Sequence, residues 1–206
     1  MISEIGIGLR NKMTIHPGRV GGWALLACAL HNIFFLTIFW LGFYNGLSST
    51  VPFVAIELVF ALLLIMGLFA IQLESPANKR ASQIGLLLML IRPIILVAFF
   101  LPLLAPGHYR IQSLLSIPRS PILYLEPVIY FVPYLGYLLI SWLTLKTKVF
   151  PVWAGWMLIF AGLFNMSLTY VGMYMTFDSF HKTMLTLATL TEALAFAGYG
   201  WHILKQ

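Results

Sequence analysis

The chain has 206 residues, of which 61% are hydrophobic and 9% charged, with a mean hydropathy of +0.94. Soluble domains carry about a quarter charged residues, so this composition excludes a water-soluble globular domain and leaves no length for an attached soluble catalytic module. The formal charge of +6 does not point to nucleic acid, because the basic residues fall in short segments between apolar runs and read as membrane anchors; the expected partner is the lipid bilayer.

Apolar runs long enough to cross about 30 Å of hydrocarbon occur at residues 20–44, 51–73, 82–104, 122–144, 151–175 and 182–204. The expected fold class is therefore an all-α integral membrane protein, a bundle of six transmembrane helices. Residues 1–19 are read as a cytoplasmic amino-terminal segment and 20–206 as a single membrane domain. The first run does not read as a cleavable signal, since it lacks a small-residue cleavage site followed by polar sequence. The single cysteine, Cys28, excludes an intrachain disulfide and a multi-cysteine metal site.

With both termini cytoplasmic, Arg10, Lys12, Arg19, Lys79, Arg80, Lys146, Lys148 and Lys205 lie inside, and only Arg110, Arg119 and Lys182 lie outside. This is the asymmetry of the positive-inside rule. Trp23, Trp142, Trp153, Trp156 and Trp201 then form an inner interfacial belt, while Trp40 and Tyr44 mark the outer end of the first span. The long outer connector, 105–121, reads equally as an interfacial helix or lid and as a solvated loop.

The segment from Gly22-Trp23 to Asn32 in the first span recurs in the fifth as Gly155-Trp156 to Asn165, and the second, fourth and sixth spans each hold one glutamate, Glu57, Glu126 and Glu192. An internal hairpin repeat accounts for both patterns.

Charged and amide side chains inside hydrocarbon are costly unless paired or solvated. His31, Asn32, Glu57, Arg92, Glu126, Asn165 and Glu192 are such residues, most of them between the midplane and the outer face. Projection at about 100° per residue puts Glu126, Tyr130, Pro133, Tyr134, Tyr137 and Ser141 on one stripe of the fourth span. It aligns Ala154, Ala161, Gly162 and Asn165 in the fifth, Ala188, Thr189, Glu192, Ala195, Tyr199 and His202 in the sixth, and Ala24, Ala27, Cys28 and His31 in the first. Arg92 needs a carboxylate from among Glu57, Glu126 and Glu192, and Pro93 beside it is expected to kink the third span. His31 is read as a hydrogen-bonded histidine against small residues rather than a metal or haem ligand. No cofactor and no metal site is expected.

The run Gly21-Gly22-Trp23-Ala24-Leu25-Leu26 leading to His31, and Phe150-Pro151-Val152-Trp153-Ala154-Gly155-Trp156-Met157-Leu158-Ile159, resemble pieces of small bacterial multi-pass membrane proteins of unknown function. The resemblance implies a bacterial inner-membrane setting and no particular activity. From the residues, the leading expectation is binding or transport of a small cationic or amphiphilic ligand in an outward-facing polar cavity. The ligand-contacting residues would be His31, Glu57, Arg92, Glu126, Tyr130, Tyr134, Asn165 and Glu192. A structural or assembly subunit, binding a membrane protein partner or a second copy, and an intramembrane lipid-modifying enzyme using Glu192 or Glu57 with His31 are the alternatives.

Overall fold

The computed structural model describes residues 17–42, 51–74, 79–100, 122–174 and 179–206, with side chains described except at 51, 79, 99–100, 122–130, 169–174, 179 and 181. The described residues form six helices: α1 (Pro17–Trp40), α2 (Val51–Leu73), α3 (Lys79–Phe100), α4 (Ile122–Thr147), α5 (Val152–Tyr174) and α6 (Ser179–Lys205). Three of them are long and apolar enough to cross a bilayer, over Pro17–Trp40, Pro52–Leu73 and Arg80–Ala98, and α5 carries a shorter apolar stretch, Val152–Leu168.

Helix ends differ from the apolar runs by up to four residues because hydrogen bonding continues where hydropathy falls off. Proline 17 opens α1 at the position where a missing N–H costs nothing. Helix α1 stops at Trp40 rather than 44: Leu41 N–H donates to Thr37 O at 3.0 Å, Gly42 N–H to Phe39 O at 3.2 Å, and Gly42 takes a φ of +76° that favours glycine. Helix α4 runs on to Thr147 through its basic last turn and is closed by Lys148, whose N–H donates to Thr144 O at 2.9 Å. Helix α3 continues through Pro93. The expected amino-terminal segment up to residue 16, the third-span end at 101–104 and the 105–121 connector lie outside the described residues.

Each helix packs on its neighbours in the chain, and α1 packs on α6, so the six close into a ring. Neighbours run antiparallel. Along α1 and α2, His31 faces Glu57 while Cys28 faces Phe60; Ser82 Oγ donates to Gln72 Oε1 at 2.8 Å where α2 meets α3; Gly155 meets Thr144 and Gly162 meets Tyr137 along α4 and α5. The α1–α6 seam is fixed at one end by Gly22 against Gly200, where a Cβ on Gly200 would stand 2.7 Å from the Gly22 carbonyl. At the other end Trp40 Nε1 donates to Thr186 Oγ1 at 3.0 Å. Only glycine permits backbones to approach so closely.

This arrangement gathers the exposed Arg19, Arg80, Lys146, Lys148 and Lys205 at one end, hereafter the basic end. Lys146 and Lys205 reach over the rings of Trp142 and Trp201, 4.8 Å and 5.0 Å from their centroids. The outside of the ring is apolar, with Trp23, Leu30, Val59, Leu62, Leu87 and Trp201 more than half exposed, while Glu192, Ser141, Thr144 and Asn32 are buried. Hydroxyls on the outer surface, at Thr37, Ser167 and Thr191, donate to the carbonyl four residues back in their own helix. Such bonds satisfy a hydroxyl within its own helix, without recourse to water.

Candidate functional site

The interior divides into two halves of different character. Towards the basic end it is a packed core in which Leu25, Cys28, Leu64, Met89, Tyr137, Leu158, Phe196 and Tyr199 are all but inaccessible, and Thr144 Oγ1 and Tyr199 Oη share a hydrogen bond of 2.8 Å. Beyond this plug lies a cavity of about 360 Å³ to which all six helices contribute. A volume of this size suits a small ligand. Phe60, Arg92, Tyr134, Asn165 and Glu192 line it, and each lies thirteen residues from the basic end of its helix at Leu73, Lys79, Thr147, Val152 or Lys205. At 1.5 Å rise per residue that is about 20 Å along each helix.

The floor is an ion pair that crosses the ring. Helices α3 and α6 lie on opposite sides, and the long Arg92 side chain bridges them, Nη1 donating to Glu192 Oε1 at 2.5 Å. Tyr137 Oη of α4 donates to the same carboxylate oxygen at 2.6 Å and accepts from Arg92 Nη1 at 3.1 Å. Three helices are thus tied by one polar cluster. Glu192 is 2% exposed, whereas the Arg92 side chain is 27% exposed and lines the cavity.

The wall formed by α1 and α2 is polar but incompletely paired. His31 Nε2 and Glu57 Oε1 stand 3.2 Å apart, within ion-pair distance, yet Glu57 Oε1 is buried without a hydrogen-bond partner, and so, separately, is the other ring nitrogen, His31 Nδ1. Asn32 Nδ2 is a third such atom. Its counterpart in the repeated segment differs: Asn165 Nδ2 donates to Ala161 O at 2.8 Å. An unpaired buried polar atom costs about 1–3 kcal/mol, and the three occur together. The remaining wall is apolar, supplied by Phe35, Phe60, Ile95, Leu96, Pro133 and Leu185.

Of the residues expected from sequence to contact a ligand, His31, Glu57, Arg92, Tyr134, Asn165 and Glu192 all line this cavity. Glu126 and Tyr130 belong to α4, but their side chains lie outside the described residues. The arginine's partner is Glu192, not Glu57. His31 is stacked on Phe60, centroids 4.1 Å apart and planes 18° apart, instead of hydrogen-bonded among small residues. Tyr137, on the polar stripe of its helix, and Asn32, an amide inside its span, carry sequence signals but are not among the residues expected to contact a ligand. Thr189, one turn from Glu192, carried the same signal. Phe60 and Leu185 carried none, because one apolar residue among many has no mark in the sequence. His31 and Glu57 are two potential metal ligands, and no group of three or more histidine, cysteine or acidic side chains occurs among the described residues.

Fold and site together define an all-helical bundle, apolar outside and enclosing a few buried polar side chains, of the kind that a bilayer stabilises. Comparison with protein-family models, with curated proteins and with solved structures finds no match to this chain in any of the three.

Proposed function

We propose that all six helices cross a membrane, with the basic end in the cytoplasm, and that the protein binds or transports a small amphiphile with a cationic head in the cavity between the midplane and the outer face. The positive-inside asymmetry supports the orientation, and the resemblance of the α1 and α5 motifs supports a bacterial inner membrane. The observation that carries the ligand reading is the α1–α2 wall, where Glu57 Oε1 and Asn32 Nδ2 are buried, unpartnered and beside one cavity. The lining holds two glutamates to one arginine, and Glu192 is already engaged by Arg92 and Tyr137. Glu57 Oε1, 3.2 Å from His31 Nε2 but without a hydrogen bond, receives a ligand's N–H donors, while Phe35, Ile95 and Leu96 receive its apolar part. Movement of a ligand through the bundle requires the Tyr137–Phe196–Tyr199 plug to open.

Dodecylamine, added below its micellar concentration to the protein in lipid nanodiscs, tests the reading by native mass spectrometry. Retention by the wild type and loss in Glu57→Gln and Asn32→Leu is expected. Failure of the wild type to retain it, with a membrane protein partner co-purifying instead, would transfer the role to assembly.

The 3.2 Å approach of His31 and Glu57 favours one second reading, an intramembrane enzyme using this pair as acid and base. Turnover of added lipid extract by the wild type, abolished in Glu57→Gln, is its signature.

A further inference from the structure

A second, apolar groove of about 260 Å³ lies on the α1–α2 side of the ring, lined by Ala55, Ile56, Val59, Phe60, Leu63 and His31. Two of these, His31 and Phe60, also line the interior cavity. The partition between groove and cavity at this point is the stacked pair itself. Val59 is 55% exposed and Ile56 40%, so in a bilayer the groove opens on the acyl chains.

The seam between α1 and α2 is unevenly packed. Near the basic end a Cβ on Gly21 would stand 2.9 Å from the Met66 carbonyl and one on Gly67 would stand 2.6 Å from Leu25, contacts that hold the two backbones together. About two turns further along, the seam is filled by bulky side chains, His31 and Phe60, rather than by close backbone contact. A seam pinned at one end and closed by two rings at the other can open locally.

We infer that the ligand enters sideways from the bilayer through the α1–α2 groove, and that it is a long-chain amine with a hydroxyl on the carbon adjacent to the amine-bearing one, a 2-amino alcohol. Its amine lies at Glu57, its oxygen accepts from Asn32 Nδ2, and its chain passes between His31 and Phe60 into the groove. This rests on the cavity being a ligand site, and adds the ligand's chemical class and its route. The donor and acceptor that the wall leaves unpaired match an amine and a neighbouring oxygen on one head group. The groove, with no polar side chain but His31, matches a hydrocarbon chain and nothing charged.

The test uses 2-amino-1-hexadecanol carrying a photoreactive diazirine at mid-chain, incorporated in phosphatidylcholine nanodiscs with the full-length protein. Cross-links mapped by mass spectrometry are expected within residues 55–63. Val59→Trp and Ile56→Trp, both on the outside of the ring, fill the groove and should reduce the cross-link at least tenfold. Retention of 2-amino-1-hexanol, too short to need the groove and soluble enough to arrive from water, should be unchanged in both variants. Cross-linking unchanged in both tryptophan variants would overturn lateral entry while leaving the cavity site intact. A hexadecyl carboxylic acid probe cross-linking equally well would overturn the amine assignment. Retention of neither amino alcohol by the wild type would overturn the cavity reading itself, and this inference with it.

Discussion

Glutamine at position 192 isolates the charge of the pair that crosses the ring. Its amide oxygen can still accept from Tyr137 Oη and Arg92 Nη1, so shape and hydrogen bonds survive, while the negative charge beside a guanidinium that does not deprotonate is lost. Removing one partner of a buried pair costs about 3–5 kcal/mol. Arg92 is 27% exposed to the cavity, where partial solvation softens the loss, so Glu192→Gln should fall near the lower figure. Arg92→Met strands the more deeply buried partner, at 3% side-chain exposure, and should fall near the upper one. Tyr137→Phe deletes two hydrogen bonds to charged groups, each worth about 1.5–3 kcal/mol, so although it leaves the ion pair it should cost at least as much as Glu192→Gln. The double variant Arg92→Met with Glu192→Gln removes both charges and should recover at least about 2 kcal/mol relative to the sum of the single changes. Reversible unfolding in mixed micelles, followed by tryptophan fluorescence, measures all four. Single changes costing under about 1 kcal/mol each, and adding without coupling, would refute the view that this pair ties α3 to α6.

Gly136→Ala should destabilise by about 1–3 kcal/mol in the same assay, because its Cβ would stand 2.7 Å from the Gly85 carbonyl and 2.8 Å from Met89 N, backbone atoms that cannot rotate away. Membrane topology can be read by thiol labelling of intact cells, since Cys28 is 0% exposed and should stay silent. On the six-span reading Lys182→Cys should react with an impermeant maleimide and Lys148→Cys only after the inner face is opened; the reverse pattern would invert the protein in the membrane.

How far the sequence alone leads depends on which kind of contact is asked about. Inward faces were legible because one helix carries the whole signal: Ala188, Glu192, Ala195 and Tyr199 fall on a single stripe, and all are buried. The common depth of Arg92, Asn165 and Glu192 was legible in the same way, from span lengths. The identity of Arg92's partner was not, because three glutamates were eligible and the choice depends on which helices face each other across the closed ring. Nor was the His31–Phe60 stack, which joins a polar residue to one of 16 phenylalanines through an inter-helix contact. Helix ends were misjudged where charged residues such as Lys79 and Lys146 extend a helix past its apolar run.

One hundred residues separate Arg92 from Glu192, and the glutamate lies three helices later in the chain. If the six helices enter the membrane in order, the guanidinium waits in the bilayer through the synthesis of α4 and α5 with its counter-charge still to come. A chain that stops before α6 leaves that charge without Glu192 and the α1 edge of the ring without its closing helix. Insertion of α6 and neutralisation of Arg92 are therefore one event, and a product lacking α6 carries its own mark of incompleteness.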